Sequence, residues 1–203
     1  MRFDFEGVWK GSMADWCRCS IRLDRDLEEL THGGVPEGEV REYLTAMIRE
    51  LRPVGEKALF LMYDEPGSMP GDARVDFVYM PTYFAAAMLM TAMNRYPGIA
   101  ADETICKAAR RLLQATMGRS FRGFGYDGDG GFLDTLEVFA RGDTVEFLHR
   151  YPEINPEFTI RFREALEYLE GEICTGRVTC AWTGRDYSER GKKVLERYTA
   201  SGL

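Results

Sequence analysis

The stretch Arg95-Tyr96-Pro97-Gly98-Ile99 returns as Arg150-Tyr151-Pro152-Glu153-Ile154, and each copy joins one apolar-periodic segment to another. A block repeated between amphipathic segments is the pattern of a repeated helical hairpin. Before the first copy, Tyr83, Ala86, Ala87, Met90 and Met93 fall on one helical face, and Pro81 can start that helix. The alanines are small enough to let a neighbour approach closely. After it, Asp102 is placed to cap a helix carrying Ile105, Ala108, Ala109, Leu112 and Leu113, with Gly118 at its end. Around the second copy the pattern recurs. Leu133, Leu136, Phe139 and Ala140 come first, then Asp143 restarts a short helix through Val145 and Leu148. Asn155-Pro156 opens the partner helix with Phe158, Phe162, Ala165, Leu166 and Leu169, which Gly171 is expected to close. The two hairpins are placed at residues 81–131 and 132–187.

Outward from this repeat the chain stays helical. Ser12 can cap a helix with Trp16, Cys19, Leu23, Leu27 and Leu30 on one face, stopping at Gly33-Gly34. Pro36 opens a second, with Val40, Tyr43, Leu44, Met47, Ile48 and Leu51 inward, and Pro53 ends it. A last helix uses Val194, Leu195 and Tyr198. The run from Ala58 to Tyr63 has the length of a buried strand, but its Ala, Leu, Phe and Met content favours helix, and helix is the expectation. Only Val75-Phe77-Tyr79 and Val178-Cys180-Trp182 alternate in the strand manner, so at most one small β pair is expected. The fold class is mainly α, built from antiparallel helical hairpins.

With 203 residues the chain suits one domain spanning 1–203. A net charge of −7 disfavours a nucleic-acid backbone or an anionic membrane surface as partner. The most apolar stretch, Tyr83 to Met93, is too short to span a bilayer, and acids interrupt the segment from Met1 to Glu6 where a secretory signal needs an apolar run. The expected location is the cytoplasm. Cys17, Cys19, Cys106, Cys174 and Cys180 are odd in number, which reads as reduced thiols behaving as small apolar residues. A zinc site from Cys17, Cys19, Cys174 and Cys180 lacks the usual pair spacing, so no metal and no cofactor are expected.

The loops after the hairpins carry the chemistry. The segment from Arg119 to Asp134 gathers Arg119, Phe121, Phe124, Tyr126, Asp127 and Asp129 among five glycines. Trp182 and Asp186 follow the second hairpin in a matching order. Rings, fixed cations, carboxylates and backbone free to approach a ligand are what a polar-rimmed apolar pocket needs. The same rings can instead plug the end of a helical core while Asp and Gly turn in solvent. Asp127-Gly-Asp129-Gly-Gly131 is not an EF-hand, because Phe132 and Val138 stand where glycine and glutamate are required. Asp127 and Asp129 are the candidate acid and base if the site is catalytic.

The paired hairpins, the Arg-Tyr-Pro turns and the segments Phe121-Arg-Gly-Phe-Gly-Tyr-Asp127 and Gly131-Phe132 resemble the α/α-toroid superfamily of terpenoid cyclases and protein prenyltransferases, over residues 80 to 190. The resemblance implies a partial α/α toroid around an apolar cavity, whose rings would include Phe121, Phe124, Tyr126 and Trp182. Asp127-Gly-Asp129-Gly130 lacks the final acid of the cyclases' Asp-x-Asp-Asp motif, and no Asp, Cys and His set answers the prenyltransferase zinc site. Neither activity carries over. Two functions remain: a small-molecule or carbohydrate binding cleft, catalytic or not, at the loop ends, and a non-catalytic protein-interaction module using the same rings and arginines. An incomplete ring also leaves an open concave face for a second copy of the chain, so a homo-oligomer belongs among the candidate partners.

Overall fold

The computed structural model describes residues 1, 13–60, 79–117, 131–176, 178, 179 and 184–202, with side chains 13–18, 79, 80 and 131 excepted. Helices dominate. They are α1 (Met13–His32), α2 (Glu37–Glu50), α3 (Tyr79–Arg95), α4 (Pro97–Ala100), α5 (Glu103–Thr116), α6 (Gly131–Arg141), α7 (Thr144–Arg150), α8 (Pro156–Cys174) and α9 (Ser188–Ala200). One antiparallel hairpin, β1 (Arg52–Val54) and β2 (Lys57–Leu59), joins them.

α3 organises the molecule. Its sequence is apolar on every side, and a helix of that kind must be surrounded. Every residue from Pro81 to Asn94 is buried. α1, α5, α6 and α7 pack against it, and α2 and α4 touch it. The outer helices are amphipathic and bury the faces that the spacing predicts. α5 buries Ile105, Ala108, Ala109, Leu112 and Leu113, and α8 buries Phe158, Phe162, Ala165, Leu166 and Leu169. α1 buries Cys19, Leu23, Leu27 and Leu30. Each Leu or Phe so enclosed is worth about 1.5–3 kcal/mol relative to exposure.

The caps fall where their chemistry requires. The Asp102 carboxylate accepts from the Thr104 and Ile105 amides, and Asn155 accepts from the Phe158 amide, each relieving unpaired donors of a first turn. The repeated Arg-Tyr blocks have a common task. Arg95 donates to the Thr31 carbonyl and Tyr96 Oη to the Val35 carbonyl, closing the end of α1 and the turn after it. Arg150 donates to the Asn94 carbonyl and Tyr151 Oη to the Met93 carbonyl, closing the end of α3. Each block thus satisfies carbonyls that the preceding unit leaves unpaired.

Three expectations are corrected. The run beginning at Ala58 forms the second strand of a hairpin rather than a helix, paired Arg52 with Leu59 and Pro53 with Ala58. Gly55, at φ +58, allows the two-residue turn, and Arg111 of α5 donates to the Gly55 and Lys57 carbonyls at 2.8 and 3.1 Å. Tertiary hydrogen bonds outweigh the modest helix propensity of a three-residue run. Gly171 does not close α8, which continues to Cys174 and stops before Gly176 at φ +67. An isolated glycine costs a helix only about 1 kcal/mol, too little to end one packed along its length. Of the cysteines, Cys19 is buried but Cys174 is exposed, so small-apolar burial does not extend to all five. Ser12, Gly118, Cys180 and residues 61–78 lie outside the described residues.

Among the described residues no helix is long and apolar enough to cross a membrane.

Candidate functional site

Three helices run side by side in one direction. Arg95 near the end of α3 meets Thr31 near the end of α1, and Gly142 just after α6 faces Ala87 of α3. Arg141 of α6 pairs with Asp24 of α1, which sets Asp24, Ala87 and Arg141 at one level. The helices extend backwards from that level, so their first residues, Met13, Tyr79 and Gly131, lie toward one end. α9 shares the direction: Arg190 in its first turns meets Asp134 and Glu137 of α6, while its last turns flank Ala140 and Asp143. α8 runs against α6, with Phe158 beside Phe139 and Tyr168 beside Phe132.

Arg119, Phe121, Phe124, Tyr126, Asp127 and Asp129 belong to the segment joining Met117 to Gly131, and Trp182 to the one joining Thr179 to Gly184; all lie outside the described residues. Asp186 is described, and it forms a local turn ahead of α9, whose N-cap is Tyr187. Its Oδ1 accepts from the Ser188 amide at 2.8 Å and the Ser188 hydroxyl at 2.6 Å, and those bonds hold its carboxyl below the usual range. Thr179 pairs with Asp186 in an antiparallel bridge, and the Tyr187 amide donates to the Val178 carbonyl at 2.8 Å. This exposed carboxylate therefore organises the start of α9.

The described part of this end holds a half-buried charge cluster. Arg190 reaches Glu137 with both Nε, at 2.9 Å, and Nη2, at 2.7 Å, and the same Nη2 donates to Asp134. Such fork geometry is what a guanidinium offers a carboxylate. Burial pushes the Asp134 carboxyl up, the Arg190 hydrogen bond and charge pull it back, and Glu137 pushes it up again. The balance lies above the ordinary aspartate value. The Glu137 hydrogen bond, with Asp134 behind it, also makes Arg190 hold its proton more firmly. Two carboxylates around one cation leave a net negative charge. Beside them the Phe132 ring meets Tyr168 edge-on at 5.8 Å, with Tyr168 40% exposed.

Sequence reading placed Asp134 only at the edge of the Gly-rich segment and missed Glu137 and Arg190. The i, i+3 spacing of Asp134 and Glu137 on one helical face was a usable signal for two acids acting together. Arg190, 53 residues from Glu137, carried none.

No protein-family model, no curated protein and no solved structure matches this chain.

Proposed function

We propose that this protein binds a small molecule or a carbohydrate at the end where α1, α3, α6 and α9 begin. The common direction of these four helices supports the reading, because the ring-bearing segments 118–130 and 177–183 both attach there. Helical hairpins that start together bring their connecting loops together, the usual setting for a site held on a rigid scaffold. A partial α/α toroid is part of the same proposal.

In this reading Phe121, Phe124, Tyr126 and Trp182 contribute apolar and stacking surface, Arg119 fixes a polar group, and Asp127 and Asp129 supply acceptors. If turnover occurs, these two acids are the acid and base, and Asp134, the first described carboxylate after them in the chain, is raised above its ordinary value by burial.

Ligand-observed NMR of the full chain against mono- and oligosaccharides and small apolar molecules tests the proposal. At least one class is expected to bind, and Phe124→Ala with Trp182→Ala is expected to abolish binding while the helical circular dichroism stays unchanged. Binding that survives both ring truncations overturns it, as does the absence of any ligand. The contrast with an interaction module comes from Asp127→Asn with Asp129→Asn. A ligand held through polar contacts weakens, whereas a ring-dominated protein interface barely changes.

A further inference from the structure

At the opposite end of α6 and α9 the molecule has a second cleft, of about 330 Å³, a volume that suits a small ligand. Asp143, Thr144, Glu146 and His149 line it from the α6–α7 corner, and Arg197 and Ser201 from the end of α9. The corner is fixed rather than pliant. Asp143 takes a left-handed backbone, φ 49 and ψ 39, which Asp tolerates better than most residues. Asn94 of α3 donates to its carbonyl at 3.0 Å, and the Thr144 hydroxyl donates to the Phe139 carbonyl at 2.6 Å.

The charges in this cleft are unequally satisfied. Glu146 is paired with Arg150 at 3.0 Å, and Asp143 stands 3.9 Å from Arg95; neither of these cations lines the cleft. Among the described residues the Arg197 guanidinium makes no ion pair, and the His149 ring makes no hydrogen bond. The cleft therefore offers an uncommitted guanidinium and an imidazole for an acid group. It also offers oxygen acceptors. The Thr144 and Ser201 hydroxyls already spend their protons on the Phe139 and Arg197 carbonyls, so their lone pairs are what remains. The Asp143 and Glu146 oxygens add more acceptors on the same wall.

We propose that this cleft binds a small organic carboxylate that also carries a hydrogen-bond donor, a hydroxy acid or an amino acid. Arg197 takes the carboxylate through its planar fork and His149 supports it. The hydroxyl or ammonium of the ligand donates to the Asp143 and Thr144 side. The site is separate from the loop-end site, so either can fail without the other.

Isothermal titration of the full chain with propionate, lactate and L-alanine tests it, since the three share a three-carbon monocarboxylate frame and differ in donor. Lactate or L-alanine is expected to bind, with propionate weaker by roughly tenfold or more, because acceptors left without a donor cost that much. Arg197→Met should weaken the bound acid by a similar factor, and His149→Gln by less. Arg197 is exposed, so thermal midpoints of these variants should match the parent. Asp127→Asn with Asp129→Asn should leave this binding untouched. No binding at millimolar acid, equal affinity for propionate, or affinity indifferent to Arg197→Met overturns the proposal.

Discussion

Gly142 lies so close to Ala87 that a β-carbon built on it would sit 2.7 Å from the Ala87 β-carbon and 3.0 Å from its α-carbon. The corner between α6 and α7 is pressed onto the central helix at a point where only glycine fits. Replacing Gly142 with Ala forces backbone apart, and overpacking of this kind costs about 1–3 kcal/mol. Thermal unfolding should show a midpoint lowered by roughly 2–4 °C per kcal/mol in a chain of this size. Adding Ala87→Gly removes the nearest contact but leaves the backbone ones, so it should restore only part of the loss. A Gly142→Ala protein as stable as the parent would mean that α6 and α3 are further apart than described.

The two tyrosines of the repeated block do equivalent work and share no partner. Tyr96→Phe and Tyr151→Phe should each cost about 0.5–1.5 kcal/mol, the net worth of one hydrogen bond. The double variant should add within about 0.5 kcal/mol, as separate sites do. Urea unfolding of the three proteins measures this. A neutral Tyr151→Phe would disconnect the block from the end of α3.

This block was legible in the sequence as a repeat between periodic segments, but its role of closing carbonyls was not, because those carbonyls lie far off along the chain. The buried faces of α5 and α8 were legible because Ile105 to Leu113 and Phe158 to Leu169 keep one period without interruption. Ala58 and Leu59 were not, because the Arg111 guanidinium that fixes their hairpin lies on a helix far along the chain. The Arg190 cluster was hidden likewise, and of the proposed site only Asp186 is among the described residues, where it accepts from Ser188 in a turn ahead of α9.

Asp26 is 7% exposed and accepts from Tyr43 Oη at 2.8 Å, linking α1 to α2. Burial raises its carboxyl above the ordinary value, against the Tyr43 hydrogen bond and Arg25, with Glu29 pushing the same way as burial. Because the folded value exceeds the unfolded one near 3.8, its contribution to stability is complete below that pH and declines as pH rises through the folded value. Asp26→Asn keeps an acceptor for Tyr43 and carries no charge. The variant should match or exceed the parent at pH 7 and lose that advantage near pH 4. Thermal midpoints measured across this interval decide it, and a variant less stable at pH 7 than at pH 4, relative to the parent, contradicts the burial cost.

Arg190→Leu should cost about 1–3 kcal/mol, the penalty of leaving half-buried acceptors without their donor. Asp134 and Glu137 would then repel each other, so the deficit should shrink as pH falls and Asp134, already raised by burial, takes up its proton. Chemical denaturation at pH 7 and pH 4.5 tests both the size and the direction. An equal deficit at the two values would assign the loss to packing of the arginine stem instead.

The Arg-Tyr closures also impose an order in time. Because Arg95 and Tyr96 finish the end of α1, and Arg150 and Tyr151 the end of α3, each unit emerging from a ribosome waits for a later one before its last carbonyls are covered. A nascent chain halted between residues 96 and 150 would hold a sealed first unit and an unsealed second one, open to any passing donor.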